Sequence, residues 1–99
     1  MLSGSSTMIL HTLNKTSPEL LAQLCAASSQ DDVILLIEDG VYHALSADAL
    51  TQLHAHAAQV CVLADDASAR GIAASHLTLV DYTGFVELSA RCSKTVSWY

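Results

Sequence analysis

Apolar residues along this chain gather in short runs set between amphipathic stretches, and the clearest run is Val33 to Ile37 (VILLI). Five consecutive apolar residues, bounded by Asp31-Asp32 before and Glu38-Asp39-Gly40 after, have the length and β-branched content of a strand buried on both faces. Such strands form the middle of parallel sheets. Met8 to Leu13 (MILHTL) predicts a first strand, Val60 to Ala64 (VCVLA) a third and Leu77 to Val80 a fourth, with Thr95 to Trp98 as a last short edge strand.

The stretches between these runs carry helical spacing. Ser17-Pro18 starts a helix to about Ser28, with Ser17 as cap and Pro18 at the first helical position, where its missing N–H costs nothing. Leu20, Leu24 and Ala27 form one apolar row on it, and Leu21 with Cys25 the adjacent row. Ser46 or Ala47 opens a second helix that ends near Ala58, with Leu50, Leu53 and Ala57 facing inward. Asp65-Asp66 is read as the cap of a short third helix that stops at Gly71, and Asp81 caps a fourth carrying Tyr82, Phe85, Val86 and Leu88. Strands alternating with helices at this spacing predict right-handed crossovers and an α/β fold, a three-layer α/β/α sandwich on a mainly parallel sheet. Residues 8–99 are expected to form one domain, with residues 1–7 as a disordered tail or a leftover of the expression vector.

Composition adds a partner to this picture. Only 14% of the residues are charged, against a usual share of about 25%. So small a domain with so few charges implies that another subunit covers part of its apolar surface. The net charge of -6, with Lys15, Arg70, Arg91 and Lys94 scattered, leaves no basic track for phosphates and argues against direct nucleic-acid binding. No apolar run approaches the length of a membrane span, and the polar N-terminus lacks the pattern of a signal peptide. Cys25, Cys61 and Cys92 are odd in number and widely spaced, which indicates neither a disulfide framework nor a zinc site, and a reducing cytoplasm fits best.

In an open α/β sheet the carboxyl ends of the central strands face the functional crevice, which places Glu38, Asp39, Gly40, Tyr42 and His43 at that edge. His54 and His56 are two apart on a helix and point to different faces, unlike a zinc-binding pair. Gly40, Gly71 and Gly84 are isolated, so no phosphate-cradling loop exists; no metal and no cofactor is expected. Cys61 lies inside an apolar strand and reads as a small buried hydrophobe. Cys92 stands near Arg91 and Lys94, whose charge would lower its pKa if the thiol were exposed. Cys25, on the first helix, has no basic residue within a turn; packing is the simpler role, and a reactive thiolate is the functional one.

Four blocks in order, MILHTLNKTSP, LLIEDGVYHAL, LADDASARGI and VDYTGFVELSARC followed by Trp98, resemble the sulfur-relay subunit family called TusB or DsrH, over Met8 to Tyr99. The resemblance implies the small α/β fold of the DsrE-like families and a heterohexamer with two sister subunits, TusC/DsrF-like and TusD/DsrE-like, two copies of each chain. It implies passage of persulfide sulfur between carrier proteins, ending in 2-thiolation of the tRNA wobble uridine in the Tus branch and serving dissimilatory sulfur oxidation in the Dsr branch. It also places the main sulfur-carrying cysteine on a sister subunit, so that this chain is accessory or structural, with Cys25 as its candidate persulfide thiol.

Overall fold

The computed structural model describes residues 8–74 and 76–99; the predicted tail at residues 1–7 lies outside them. Five parallel strands form one sheet: β1 (Ile9–Leu13), β2 (Val33–Leu36), β3 (Gln59–Leu63), β4 (Thr78–Val80) and β5 (Lys94–Trp98), in the order β4-β3-β2-β1-β5. The helices are α1 (Pro18–Ala27), α2 (Ala47–His56), α3 (Ala64–Ala69) and α4 (Tyr82–Arg91), and a 3₁₀ segment covers Glu38–Leu45. The predicted mainly parallel α/β sandwich is the one observed.

Strand order and crossover handedness decide which helix covers which face. The first three connections each step one strand in the same direction, so right-handed crossovers put α1, α2 and α3 on one face. The last connection runs back from β4 to the far side of β1, and the same handedness sends α4 to the other face. The two halves of the core follow this division. Leu13, Ile34, Leu36, Val60 and Val62 pack with Leu21, Leu24 and Cys25 of α1, Ala49 and Leu53 of α2, and Ala67 of α3. Leu10, Val33, Leu35, Cys61 and Leu63 pack on the opposite face with Leu88 of α4 and with Cys92. All four residues of β2 are buried, as a central strand requires.

Capping fixes three of the helix starts. Ser17 accepts from Leu20 N–H at 3.2 Å, Ser46 from Ala49 N–H at 3.2 Å and Asp81 from Gly84 N–H at 2.7 Å, each contributing about 1 kcal/mol. α3 ends as expected at Gly71, whose φ of 67° closes a Schellman turn with Gly71 N–H on Ser68 O and Ile72 N–H on Ala67 O.

Several expectations are corrected. β2 stops at Leu36: Ile37 stays extended and donates to Leu13 O at 3.0 Å, and Glu38, at φ 50°, turns the chain away from the sheet. Ala27 is exposed, so α1 buries one face only, Leu21, Leu24 and Cys25. Asp65 and Asp66 do not cap α3. Its start is Leu63 without a side-chain cap, and both carboxylates lie inside the first turn, where the helix dipole favours them and Asp66 is free to reach another segment.

Candidate functional site

The chain leaves β2 through a left-handed residue, Glu38 at φ 50°, which turns it sharply into the 3₁₀ segment. α3 braces this turn. Asp66 Oδ2 accepts the Glu38 N–H at 2.6 Å, Arg70 Nε donates to Asp39 Oδ1 at 3.0 Å, and an Arg70 guanidinium N–H reaches Asp66 O at 3.3 Å. The Arg70–Asp39 pair is partly solvated and contributes at most about 1 kcal/mol, so its role is to hold the loop's geometry. Gly40 is required at its position: a Cβ there would stand 1.9 Å from Leu13 O.

Of the residues expected at this edge, Glu38, Asp39 and Tyr42 are exposed and Gly40 is buried against the end of β1. Tyr42 borders a cleft of about 400 Å³ between the starts of α1 and α2, lined by Thr16, Pro18, Leu21, His43, Ser46 and Gln52 among others. His43 turns inward and is 7% exposed. Its Nε2–H donates to Lys15 O at 3.0 Å, and burial, only partly offset by that bond, holds its pKa below the ordinary imidazole value. Handedness creates a second edge that strand runs alone did not reveal. β3 and β4 are neighbours whose helices leave to opposite faces, so the crevice of an open α/β sheet falls between their carboxyl ends. From there a cleft of about 450 Å³ runs beside α4 along the sheet, from Ala64, Val80 and Asp81 past Cys61 to Gln59 at the amino end of β3 and Arg91 of α4.

Cys61 lines the second cleft but is fully buried, and no thiol here is in reactive form. Cys25, Cys61 and Cys92 are free thiols and all are buried. Burial alone pushes Cys25 up and carries Cys61 to about 11. For Cys92 burial also wins; the Arg91 charge pulls the other way, and Asp32 adds to the rise. The cationic activation of Cys92 expected from Arg91 and Lys94 is thus outweighed, because the thiol is only 8% exposed. Among the described residues no cluster of three metal-ligating side chains occurs, and no helix is long and apolar enough to cross a membrane.

One polar constellation escaped sequence reasoning. Asp32, at the entrance to β2, is 1% exposed and accepts from His11 Nε2 at 2.8 Å, from Ser29 N–H and Oγ–H at 3.1 Å each, and from Ile9 N–H at 3.2 Å. Burial pushes its carboxyl up, but these hydrogen bonds outweigh burial and hold it below the ordinary value. His11 in turn accepts from Trp98 Nε1–H at Nδ1, 3.0 Å away. A signal was present: a histidine and an aspartate within or beside apolar strands must find partners. The partners, however, are 21 and 87 residues apart, and no spacing rule connects them.

Comparison with known proteins adds the family. Residues 16–95 match the family model described as DsrH like protein. Curated proteins named Protein TusB, from Yersinia pestis (strain Pestoides F) and Yersinia pseudotuberculosis serotype O:1b (strain IP 31758), are each 40% identical to this chain over 84 residues, covering 81% of it and 87% of their own length.

Proposed function

The chain belongs to the DsrH family, and from that premise we propose that it is a subunit of a sulfur-relay complex serving 2-thiolation of the tRNA wobble uridine. The observation that carries this reading is the 40% identity to proteins named TusB over most of both chains, which favours the tRNA branch over dissimilatory sulfur oxidation. In this reading the chain works in the cytoplasm, assembled with TusC/DsrF-like and TusD/DsrE-like sisters in a heterohexamer. Sulfur-carrier proteins meet the complex, not the isolated chain.

The chemistry of the chain supports an accessory role. Accepting or passing persulfide sulfur needs an accessible thiolate, and here burial raises all three thiols. Cys25 packs α1 onto the sheet beside Leu21 and Leu24 rather than facing the Glu38–Tyr42 edge. The clefts and the braced loop then offer docking geometry, and the nucleophile comes from a sister. The low charge content supports coverage by such sisters: Tyr82, Val86 and Leu79 lie 50 to 65% exposed, more apolar surface than a lone small domain carries comfortably.

The test is genetic and chemical together. Deleting the gene should remove 2-thiouridine from the affected tRNAs, read by mass spectrometry of nucleosides, and the tagged chain should co-purify with two sister subunits. Full thiolation in the deletion strain with altered sulfur oxidation instead would move the protein to the other branch.

A further inference from the structure

Both ring nitrogens of His11 are engaged in the middle of β1, and their partners fix where its hydrogen sits. The Trp98 indole N–H can only donate, so Nδ1 accepts and is bare, and the ring hydrogen lies on Nε2, donating to Asp32. His11 and Asp32 are 2% and 1% exposed, so the bond between them is shielded from water, while Trp98 is only half-buried. The two rings lie 6.1 Å apart, tilted by 33°. Trp98 is the last residue of β5, an edge strand with exposed Lys94, Thr95 and Ser97, held otherwise by its ladder to β1, by a 3.3 Å bond between Thr12 and Ser97 hydroxyls and by packing of the half-buried Trp98 ring against the α1-side core.

A further proton on this ring has one place to go, the atom that holds the indole. Asp32 can balance the resulting imidazolium, because Ser29 and Ile9 already hold its carboxylate in place. One end of the ring therefore tolerates the charge, while at the other an N–H would face an N–H. The charged and titratable groups nearby do not change this. β2 presents Asp32, with Asp31 exposed beside it; β5 presents exposed Lys94 on the same face; α1 contributes the buried Cys25 thiol; and Cys92, after α4, lies within electrostatic reach of Asp32, both thiols being kept protonated by burial. His43 is engaged with Lys15 O beyond the other end of β1.

We propose that His11 is a proton-operated latch on the C-terminal strand. With Nδ1 bare, it holds the Trp98 indole and with it the end of β5 on the sheet. With Nδ1 protonated from solvent, the imidazolium stays paired with Asp32, the indole hydrogen bond is lost and Lys94–Trp98 loosens.

Trp98 is the single tryptophan, so its emission and indole N–H resonance report the latch directly. The full chain is titrated from about pH 8 to about pH 5, following indole shift, exchange of the indole and β5 amides, and ring ¹⁵N resonances of His11, with far-UV circular dichroism to confirm the fold. The expected result is a single titration in which the bare Nδ1 signal disappears, the indole resonance moves, and indole and β5 amides exchange about tenfold faster or more while β2 and β3 amides do not. In His11→Gln, which can accept from the indole but cannot take the proton, this pH dependence should vanish. An indole resonance that stays still while the fold is native would overturn the latch. So would the same titration in His11→Gln, or unfolding of the parent chain before Nδ1 is protonated; the ring spectra of the parent decide if that variant does not fold.

Discussion

Replacing Gly40 by alanine tests how the acidic loop is built onto the sheet. The added methyl would stand 1.9 Å from Leu13 O and 2.8 Å from Leu13 C, both backbone atoms, at a point where no side chain can swing aside. Relief requires β1 and the 3₁₀ segment to separate by more than 1 Å, roughly the gap between that contact and an ordinary van der Waals one. The same shift breaks Ile37 N–H to Leu13 O at 3.0 Å and strains Gly40 N–H to Ile37 O at 2.8 Å. Overpacking costs about 1 to 3 kcal/mol, and each lost hydrogen bond adds about 0.5 to 1.5 kcal/mol. The expected loss is about 2 to 5 kcal/mol, a large part of the stability of a domain this size. Urea unfolding should show the midpoint falling steeply with little change in slope. The other glycines are internal controls. Gly71→Ala meets open space and should cost only the left-handed backbone penalty, about 1 to 2 kcal/mol. Gly84→Ala meets the Val80 side chain at 2.8 Å but gains about 1 kcal/mol of helix propensity, so its net effect should be small. A Gly40→Ala protein within about 1 kcal/mol of the parent would refute the reasoning.

Three further outcomes follow from the buried polar groups and thiols. Asp32→Ala should cost about 3 to 5 kcal/mol in thermal or urea unfolding, because it leaves His11, Ser29 and Ile9 donors without their acceptor. Stability should fall on acidification in two windows. The lowered His43 value lets the unfolded chain take up a proton first as pH drops through about 6.5. The lowered Asp32 value does the same as pH drops from about 3.8 through the folded-state value, so that its contribution is present above that window and lost below it. Urea midpoints measured against pH check both signs, with His43→Gln flattening the upper window. Finally, the three thiols should react slowly with a disulfide reagent in the native chain and all react on unfolding, as the burial of Cys25, Cys61 and Cys92 requires.

Local rules made much of the fold legible. Val33 to Leu36 of the VILLI run is a buried central strand, Ser17, Ser46 and Asp81 cap the helices they precede, and Gly71 ends α3. These features depend on residues within a turn of one another. What needed three dimensions was different in kind. Asp65-Asp66 looked like a cap, but Asp66 is recruited by the Glu38 N–H, 28 residues away. The split of helices between faces, and the crevice between β3 and β4, follow from strand order, which no local pattern specifies. At the Glu38–Tyr42 edge the sequence located the loop without revealing that Asp39 is engaged by Arg70 or that His43 turns inward. His11, Asp32 and Trp98 are joined only by the β1–β2 and β1–β5 pairings.

The most direct test of a non-carrier subunit is sulfur loading of the assembled complex. The complex is charged with persulfide sulfur from an upstream carrier, and the intact mass of each subunit is taken before and after thiol reduction. The expected result is a reducible sulfur on a sister subunit and none on this chain, with a Cys25→Ser complex that assembles and passes sulfur as the parent does. A reducible gain of one sulfur on this chain, lost in Cys25→Ser while the complex persists, would contradict it and make Cys25 a relay thiol.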